Sequence, residues 1–304
     1  MPELPEVETM RRGVLPIVGS RIDAVRATGC RKRPISITPK LPTLRRRTVG
    51  RMIVAIDRVG KRVVVRLDSD DAIIFEPRMT GLVLLAAPPT REHLRLELKL
   101  SGGRANELLF WDRRGLGLVR LVTPEEFEKL YGREKLGPDA LAMSSETLRE
   151  QLCGSRREIK VALLDQRALA GVGNLYASEI VHLAGVDPRA RCSELSKVQW
   201  QAIHAAMVEI LERAILYEGS TLGDGTYRTA LNGEGGYQNH HRVYDRAGET
   251  CPTCGRGTIE RIVQAQRSTF FCPRCQPPMS RARTVKLGRA KSRVVAKSLA
   301  RPAT

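Results

Sequence analysis

Apolar positions in the first fifteen residues recur at helical spacing. Val7, Met10 and Val14 follow Pro2 and Pro5, and this predicts a short amphipathic helix over 2–15. From about 21 to 121 the period becomes two. Leu94, Leu96, Leu98 and Leu100 alternate with Arg95, Glu97 and Lys99. The stretches 52–56, 63–67, 72–75, 81–85, 107–111 and 118–122 are short and rich in apolar or β-branched residues, with Gly, Asp and Pro between them. Strands of this length and spacing predict a β-sandwich, and the missing βαβ alternation argues against a dinucleotide-binding fold. A helical turn is expected over 125–131 after Thr123-Pro124, and composition shifts around Gly137-Pro138. Beyond it, helical patterns dominate, at 145–152 and around Ile159, Leu163 and Leu164. They continue over 175–184, closed by Gly185, and along a long helix over 196–217. Residues 218–248 are rich in Gly, Thr, Asn and Tyr without apolar periodicity, as in a long functional loop or a disordered one.

Charge changes this picture of an ordinary α+β chain. At 304 residues the protein can bury more than one core, and its formal net charge is +18. That excess points to a polyanionic partner. No apolar run is long enough to span a bilayer, and the acidic, core-less N-terminus is not that of a signal peptide. The stretch from Pro277 carries Arg281, Arg283, Lys286, Arg289, Lys291, Arg293, Lys297 and Arg301 with no acidic residue. It reads as a disordered basic arm that adds phosphate attraction, or as a solvated tail without a task.

Candidate chemistry begins at the N-terminus. If Met1 is removed, Pro2 becomes a secondary amine with Glu3 directly beside it. A free α-amine has a pKa of about 7.7–8.0, so part of it is nucleophilic at neutral pH. Attack of such an amine on a sugar aldehyde carbon gives an iminium, an electron sink, and Glu3 could move protons there. Taken alone, the same residues could simply start a helix.

Cysteine supplies the strongest local signal. Cys251-Pro-Thr-Cys254, seventeen residues, then Cys272-Pro-Arg-Cys275 has the spacing of a tetrahedral zinc site with no open position, hence a structural one. Cys30, Cys153 and Cys192 are scattered, so the seven cysteines suit a reducing compartment rather than a disulfide framework. A zinc-pinned β-hairpin between the pairs would present Arg267 at its tip, for phosphate or a minor-groove contact. In Gly171-Val-Gly173-Asn174, the start of the next helix offers free N–H groups to an anion such as phosphate, and the glycines allow close backbone approach. Lys160 could add a charged contact. Lys61 follows Gly60 between two strands, the setting of an ordinary turn lysine.

Pro2 to Thr9 reads PELPEVET, and this opening resembles the formamidopyrimidine-DNA glycosylase (Fpg/MutM) family of the wider Fpg/Nei group. Two further segments match in order: Leu163-Leu164-Asp165-Gln166 with Gly171-Val172-Gly173-Asn174-Leu175-Tyr176-Ala177-Ser178-Glu179, and Gln266-Arg267-Ser268-Thr269 inside the zinc hairpin. The resemblance spans residues 2 to about 276. It implies an N-terminal β-sandwich with a catalytic N-terminal helix, a helical helix–two-turn–helix (H2TH) domain and a C-terminal β-hairpin zinc finger. The corresponding division is 1–135, 136–240 and 241–276, with a basic tail over 277–304. It implies one Zn2+, and Pro2, Glu3, Lys61 and Arg267 as catalytic residues with Glu6 in support. DNA contacts fall to Met79, Arg113, Arg114, Lys160, Asn174 and Arg267. The implied reaction excises oxidised purines from damaged double-stranded DNA and nicks the strand by β,δ-elimination. A monomer in a bacterial-type cytoplasm, at the nucleoid, is expected. Other readings are a Nei-like glycosylase for oxidised pyrimidines, or a DNA-binding protein without catalysis.

The chain departs from the family at two loops. It reads Phe75-Glu76-Pro77-Arg78-Met79-Thr80-Gly81 where members have His-Leu-Gly/Arg-Met-[Ser/Thr]-Gly. It also reads Asp112-Arg113-Arg114-Gly115-Leu116-Gly117 where members have Asp-Pro-Arg-Arg-Phe-Gly, whose arginine and phenylalanine enter the helix opposite the lesion. The wedge phenylalanine is missing, and Leu116 is the nearby apolar substitute. Arg62 replaces the aromatic residue that usually follows the turn lysine.

Overall fold

The computed structural model describes residues 2–30 and 33–278. Helix α1 (Leu4–Gly13) starts where expected, with Pro5 in its first turn. Its apolar stripe is shared between two cores. Val7, Met10 and Val14 pack into the core of a two-sheet unit, whereas Leu4 packs into the core of a helical unit. The chain end therefore lies on the seam between them.

The sheet unit comprises β1 (Arg21–Ala27), β2 (Ser36–Thr38), α2 (Leu41–Thr48), β3 (Ile53–Val59), β4 (Arg62–Leu67), β5 (Ala72–Glu76), β6 (Gly81–Leu84), β7 (Leu94–Ser101), β8 (Glu107–Asp112) and β9 (Leu118–Val122). One sheet has the order β1-β7-β8-β6 and the other β2-β9-β5-β4-β3. All pairings are antiparallel except that of β2 with β9. Val63, Val65, Ile73 and Phe75 fill the space between the sheets. Val64, Ala72, Ile74 and Val122 point the other way and are covered by Phe127 and Tyr131 of α3 (Pro124–Tyr131). Burial on both faces explains why β4 and β5 read as unbroken apolar runs while β7, with one face wetter, alternates.

Three elements here escaped the sequence pattern. In β1 the register shifts between Ile22 and Ala24, and this bulge breaks the alternation of two. Strand β2 has three residues. Helix α2 buries only Leu44 and Thr48 and otherwise reads as an arginine run.

The helical unit comprises α4 (Ser145–Leu152), α5 (Ile159–Ala162), α6 (Asn174–Leu183) and α7 (Lys197–Leu216). Trp200, Ile203, Met207, Ile210, Leu211 and Ala214 recur at three- and four-residue spacing on α7 and share a core with Tyr176, Ile180 and Val181 of α6. Ser196 caps α7 reciprocally with Gln199: the Gln199 N–H donates to Ser196 Oγ and the Ser196 N–H to Gln199 Oε1. Beyond α7, the 218–248 segment is irregular but packed. Its Tyr227 and Ala230 enter the core between the sheets, away from the helices that precede them in sequence. Gly13 makes room for this, since a Cβ there would sit 2.4 Å from that of Ala230.

Strands β10 (Glu260–Gln264) and β11 (Arg267–Phe271) form the C-terminal hairpin. Its two-residue turn is Ala265-Gln266, with φ of +45° and +61°, the double positive φ of a tight hairpin. Arg267 is thus the first residue of the return strand and pairs with Gln264, instead of occupying the tip as expected. The basic arm falls largely on residues 279–304, outside the described residues. Among the described residues no helix is long and apolar enough to cross a membrane.

Candidate active site and nucleic-acid interface

Pro2 is buried at the mouth of α1 and lines a cavity of about 20 Å³ with Glu6, Met79, Thr80, Leu175, Ser220 and Tyr227, among others. That volume holds about one water molecule and no purine.

Three side chains fix the chain end. Glu6 Oε2 accepts the Glu3 N–H (2.8 Å), and Glu6 Oε1 accepts the Tyr176 hydroxyl (2.5 Å) and the Ser220 N–H (2.9 Å). Burial, and then the neighbouring Glu3 charge, push the Glu6 carboxyl above its ordinary pKa, against the pull of these hydrogen bonds. Glu3 Oε1 accepts the Leu175 N–H at the start of α6 (3.0 Å), while Glu3 Oε2 is buried with no hydrogen-bond partner. A buried carboxylate oxygen without a donor is costly, and it leaves an unmet acceptor on the residue next to Pro2.

The Gly171–Gly173 segment therefore does something the sequence did not suggest. The Leu4 N–H donates to Gly171 O (3.0 Å), and a Cβ on Gly171 would lie 2.5 Å from Leu4 Cδ1. A Cβ on Gly173 would lie 2.3 Å from the Glu3 carboxyl carbon. The close approach that these glycines allow is that of the chain's own N-terminus, and the anion at the α6 start is Glu3. Tyr176 and Ser220 were not singled out from sequence, although Tyr176 lies inside the Gly-Val-Gly-Asn match.

Cationic groups surround this end. Lys61 sits in the two-residue turn between β3 and β4, where Gly60 has φ +56°. Burial depresses the Lys61 ammonium; Glu3 and Glu6 oppose this, and Arg267 and Arg62 add to it. Arg62, in place of the expected aromatic residue, binds Glu76 (2.7 Å) and stacks 4.9 Å from the Tyr131 ring centre. Lys160, read from the sequence as a possible charged contact, lies under the hairpin. It is buried, and its Nζ donates to Asn174 Oδ1 (2.5 Å) and Ser268 O (3.4 Å). Asn174 Nδ2 also donates to Ser268 O (2.9 Å), so both residues grip β11 next to exposed Arg267. Burial first, and then Arg267, bring Lys160 down to about 8.

Met79 is 38 % exposed on the turn from Pro77 to Gly81, across from the exposed Arg113 and Arg114. Glu179, which closes the Gly-Val-Gly-Asn match but was given no role from sequence, accepts the N–H groups of Arg242, Val243 and Tyr244 (2.8–2.9 Å) and so anchors the far end of the 218–248 segment on α6.

The four cysteine sulfurs lie within 4.8 Å of one another, with Cys251–Cys275 and Cys254–Cys272 separations of 3.8 and 3.9 Å. Tetrahedral zinc with Zn–S of about 2.3 Å requires sulfurs about 3.8 Å apart, so the set fits one structural Zn2+. Gly257 is required beside it, since a Cβ would meet Cys272 Sγ at 2.5 Å. Gln264 ties the finger to the helical unit through Glu158 (2.8 Å) and Pro188 O (3.1 Å).

Family models match this architecture piece by piece: the formamidopyrimidine-DNA glycosylase N-terminal domain over residues 1–119, its H2TH domain over 136–225, and a zinc finger found in FPG and IleRS over 248–278. The chain belongs to the formamidopyrimidine-DNA glycosylase family. The family's protein from Chloroflexus aurantiacus is 40% identical over 286 residues, covering 92% of this chain and 99% of that one. The one from Paracoccus denitrificans is 37% identical, covering 91% and 100%. Among solved structures, Lactococcus lactis Fpg bound to DNA with an abasic site superposes with a TM-score of 0.80 at 32% identity, covering 90% of this chain and 99% of that one. MutM bound to DNA containing carbocyclic 8-oxo-G superposes at 0.78 with 33% identity, covering 91% and 100%.

Proposed function

We propose that this family member is a bifunctional DNA glycosylase and abasic-site lyase that removes oxidised purines, 8-oxoguanine and formamidopyrimidines, from duplex DNA. The observation that carries the reading is the placement of Pro2 in a cavity that Glu6 and Met79 also line, directly next to the buried Glu3, one of whose carboxylate oxygens is unpartnered. The complexes of the similar proteins with abasic and 8-oxo-G DNA support the substrate class. The chain acts as three units: the two-sheet unit with α1, the helical unit, and the finger. It works as a monomer in the cytoplasm.

The target base must leave the stack, at a cost of a few kcal/mol. Met79, with Arg113 and Arg114, enters the space it vacates. The neutral Pro2 nitrogen attacks C1′, the C1′–N bond breaks, and the base departs with the bonding pair. The Glu3 carboxylate takes the proton that the Pro2 nitrogen sheds on attack and delivers it to the ring oxygen as the C1′–O bond breaks and the sugar opens, which leaves an iminium between Pro2 and C1′. Glu6, held by Tyr176 and Ser220, keeps Glu3 and the chain end in place. The iminium acidifies C2′; loss of that proton expels the 3′-phosphate, and a second elimination expels the 5′-phosphate. Lys61, Lys160, Asn174 and Arg267 hold the flanking phosphates as charge-assisted donors. Zinc fixes the hairpin that carries Arg267.

Borohydride reduction on an abasic duplex tests the reading. A covalent adduct mapping to Pro2 is expected, together with excision from duplexes containing 8-oxoguanine. Preferred excision of an oxidised pyrimidine would assign the Nei-like activity instead, and absence of any adduct would leave only a DNA-binding protein. Retention of Met1 on the mature chain would remove the nucleophile and overturn the mechanism.

A further inference from the structure

Met79 and the Arg113–Leu116 segment lie on different loops, yet both loops leave the sheet at one point. Gly81, the first residue of β6, and Asp112, the last of β8, are register partners. Asp112 is fully buried and is bonded on every side. Its Oδ1 accepts the Thr80 hydroxyl (2.5 Å) and the Arg114 N–H (3.2 Å), its Oδ2 accepts the Gly117 N–H (2.7 Å), and its backbone carbonyl accepts Arg95 Nε (2.8 Å). Thr80 Oγ1 in turn accepts the Arg114 N–H (3.0 Å), so one hydroxyl joins the residue after Met79 to the second arginine. On its other side the Met79 turn is tied back by Arg78, whose Nε lies 2.5 Å from Glu76. The second loop is equally restrained. Gly115 has φ +63°, and a Cβ there would meet Arg33 O at 2.1 Å. Neither loop can shift alone without breaking buried, charge-assisted hydrogen bonds.

We infer that Thr80 and Asp112 lock the two loops into one rigid wedge, so that Met79 and the Arg113–Leu116 segment enter the duplex in a single step. Thr80 and Asp112 are then positioning residues for base extrusion. This inference rests on the function proposed above and adds to it how this chain, lacking the family's wedge phenylalanine, keeps its probing surface stiff. A rigid frame lets a smaller apolar residue, Leu116, serve, because little ordering entropy is lost on insertion.

The probe is a duplex with a tetrahydrofuran abasic analogue opposite 2-aminopurine, whose fluorescence rises on unstacking and requires no chemistry. The full chain should give a single-phase rise. Thr80→Val, nearly isosteric but without the bridging hydroxyl, should make the rise biphasic and lower 8-oxoguanine excision about tenfold or more, the scale of a misplaced group. Nicking of a preformed abasic site, which has no base to extrude, should fall clearly less than excision does, and Thr80→Ser should restore both single-phase unstacking and excision. Asp112→Asn, which turns the oxygen facing the Gly117 N–H into a donor, should repeat the biphasic signal. A single-phase rise in both variants would overturn the inference, as would parallel loss of excision and nicking without rescue by serine. If the wild-type chain unstacks in one phase but excises no purine, the assigned substrate fails while the wedge stands.

Discussion

Gly173→Ala isolates the placement of Glu3 from the rest of the chemistry. Gly173 has φ −129° and ψ −162°, an extended conformation that alanine adopts without strain, so the only new element is a methyl group. That methyl would lie 2.3 Å from the Glu3 carboxyl carbon and 2.5 and 2.6 Å from its oxygens. Ordinary carbon contacts are about 3.5 Å or longer, so the carboxyl must retreat by about 1.2 Å. The 3.0 Å bond from the Leu175 N–H is then lost. Loss of a hydrogen bond to a charged group costs about 1.5–3 kcal/mol of stability. Displacement of a proton-transferring group by about 1 Å costs on the order of 10²-fold in rate. Single-turnover excision of 8-oxoguanine should therefore fall by about two orders of magnitude, while urea unfolding shows the modest loss above. Duplex affinity should change little, because Lys61, Lys160 and Arg267 are untouched. Excision at the wild-type rate by a folded Gly173→Ala protein would refute the claim that the α6 start positions Glu3.

Zinc removal by a chelator should leave both main cores folded, because the finger has its own small core of Val243, Ile259 and Phe270. It should lower the slope of log affinity against log salt by about one unit or more as Arg267 leaves the interface; an unchanged slope in the metal-free protein would contradict this. Asp139→Asn weakens the strap between the sheet and helical units, where Arg58 holds Asp139 (2.6 and 3.1 Å), Glu8 (3.2 Å) and Gly60 O (3.0 Å). A loss of about 1–3 kcal/mol in urea unfolding is expected, and a neutral effect would show that the strap carries no net stability. Glu8 titrates at about 2: burial raises it, but the bonds from Arg11 and Arg12 and the charges of Arg11 and Arg58 outweigh burial. Because the folded pKa is depressed, its stabilisation is complete above the ordinary carboxyl value of 4.5 and is lost as pH falls towards 2. Glu8→Gln should flatten the acid limb of the stability curve between those values.

Where one face of an element was buried and the other wet, the sequence was easy to read. The alternation over 94–100 and the stripe of α7 gave their elements directly. Arg21–Ala27 failed because a bulge shifts the period, and Leu41–Thr48 because a helix anchored mainly by Leu44 looks like a solvated arginine run. The zinc site was legible because ligand spacing along the chain is itself the chemistry. The cradle around Glu3 was not. It joins residues 3, 6, 173, 175, 176 and 220, and no local pattern records that distant glycines are hollow because an N-terminal carboxylate fills them. The burial of Lys160 was hidden for the same reason: nothing in Ile159-Lys160-Val161 records that the hairpin folds over the lysine.

The proposed mechanism asks a chain terminus to serve as a reliable nucleophile, and the position of α1 supplies the restraint this needs. Ends of chains fray because few contacts hold them. Here Leu4 is fully buried in the helical core, and Val7 and Met10 are fully buried between the sheets. Displacing Pro2 by one residue's length would withdraw Leu4 from the first core, and uncovering a fully buried leucine costs about 1.5–3 kcal/mol. It would also break the Leu4–Gly171 and Glu3–Glu6 bonds, each worth about 0.5–3 kcal/mol. The sum, about 2.5–9 kcal/mol, keeps a frayed end at a small minority of the population. The same geometry makes the end responsive to the seam. Any relative movement of the sheet and helical units pulls α1 from both sides, and Pro2 and Glu3 move with whichever core holds them more tightly. Glu3 is bonded to α6, so it follows the helical unit; Met79 belongs to the sheets. Under the proposed mechanism, the spacing between Glu3 and Met79 would thus be set by how the two units sit together, which would tie the chemistry to a correctly opened duplex.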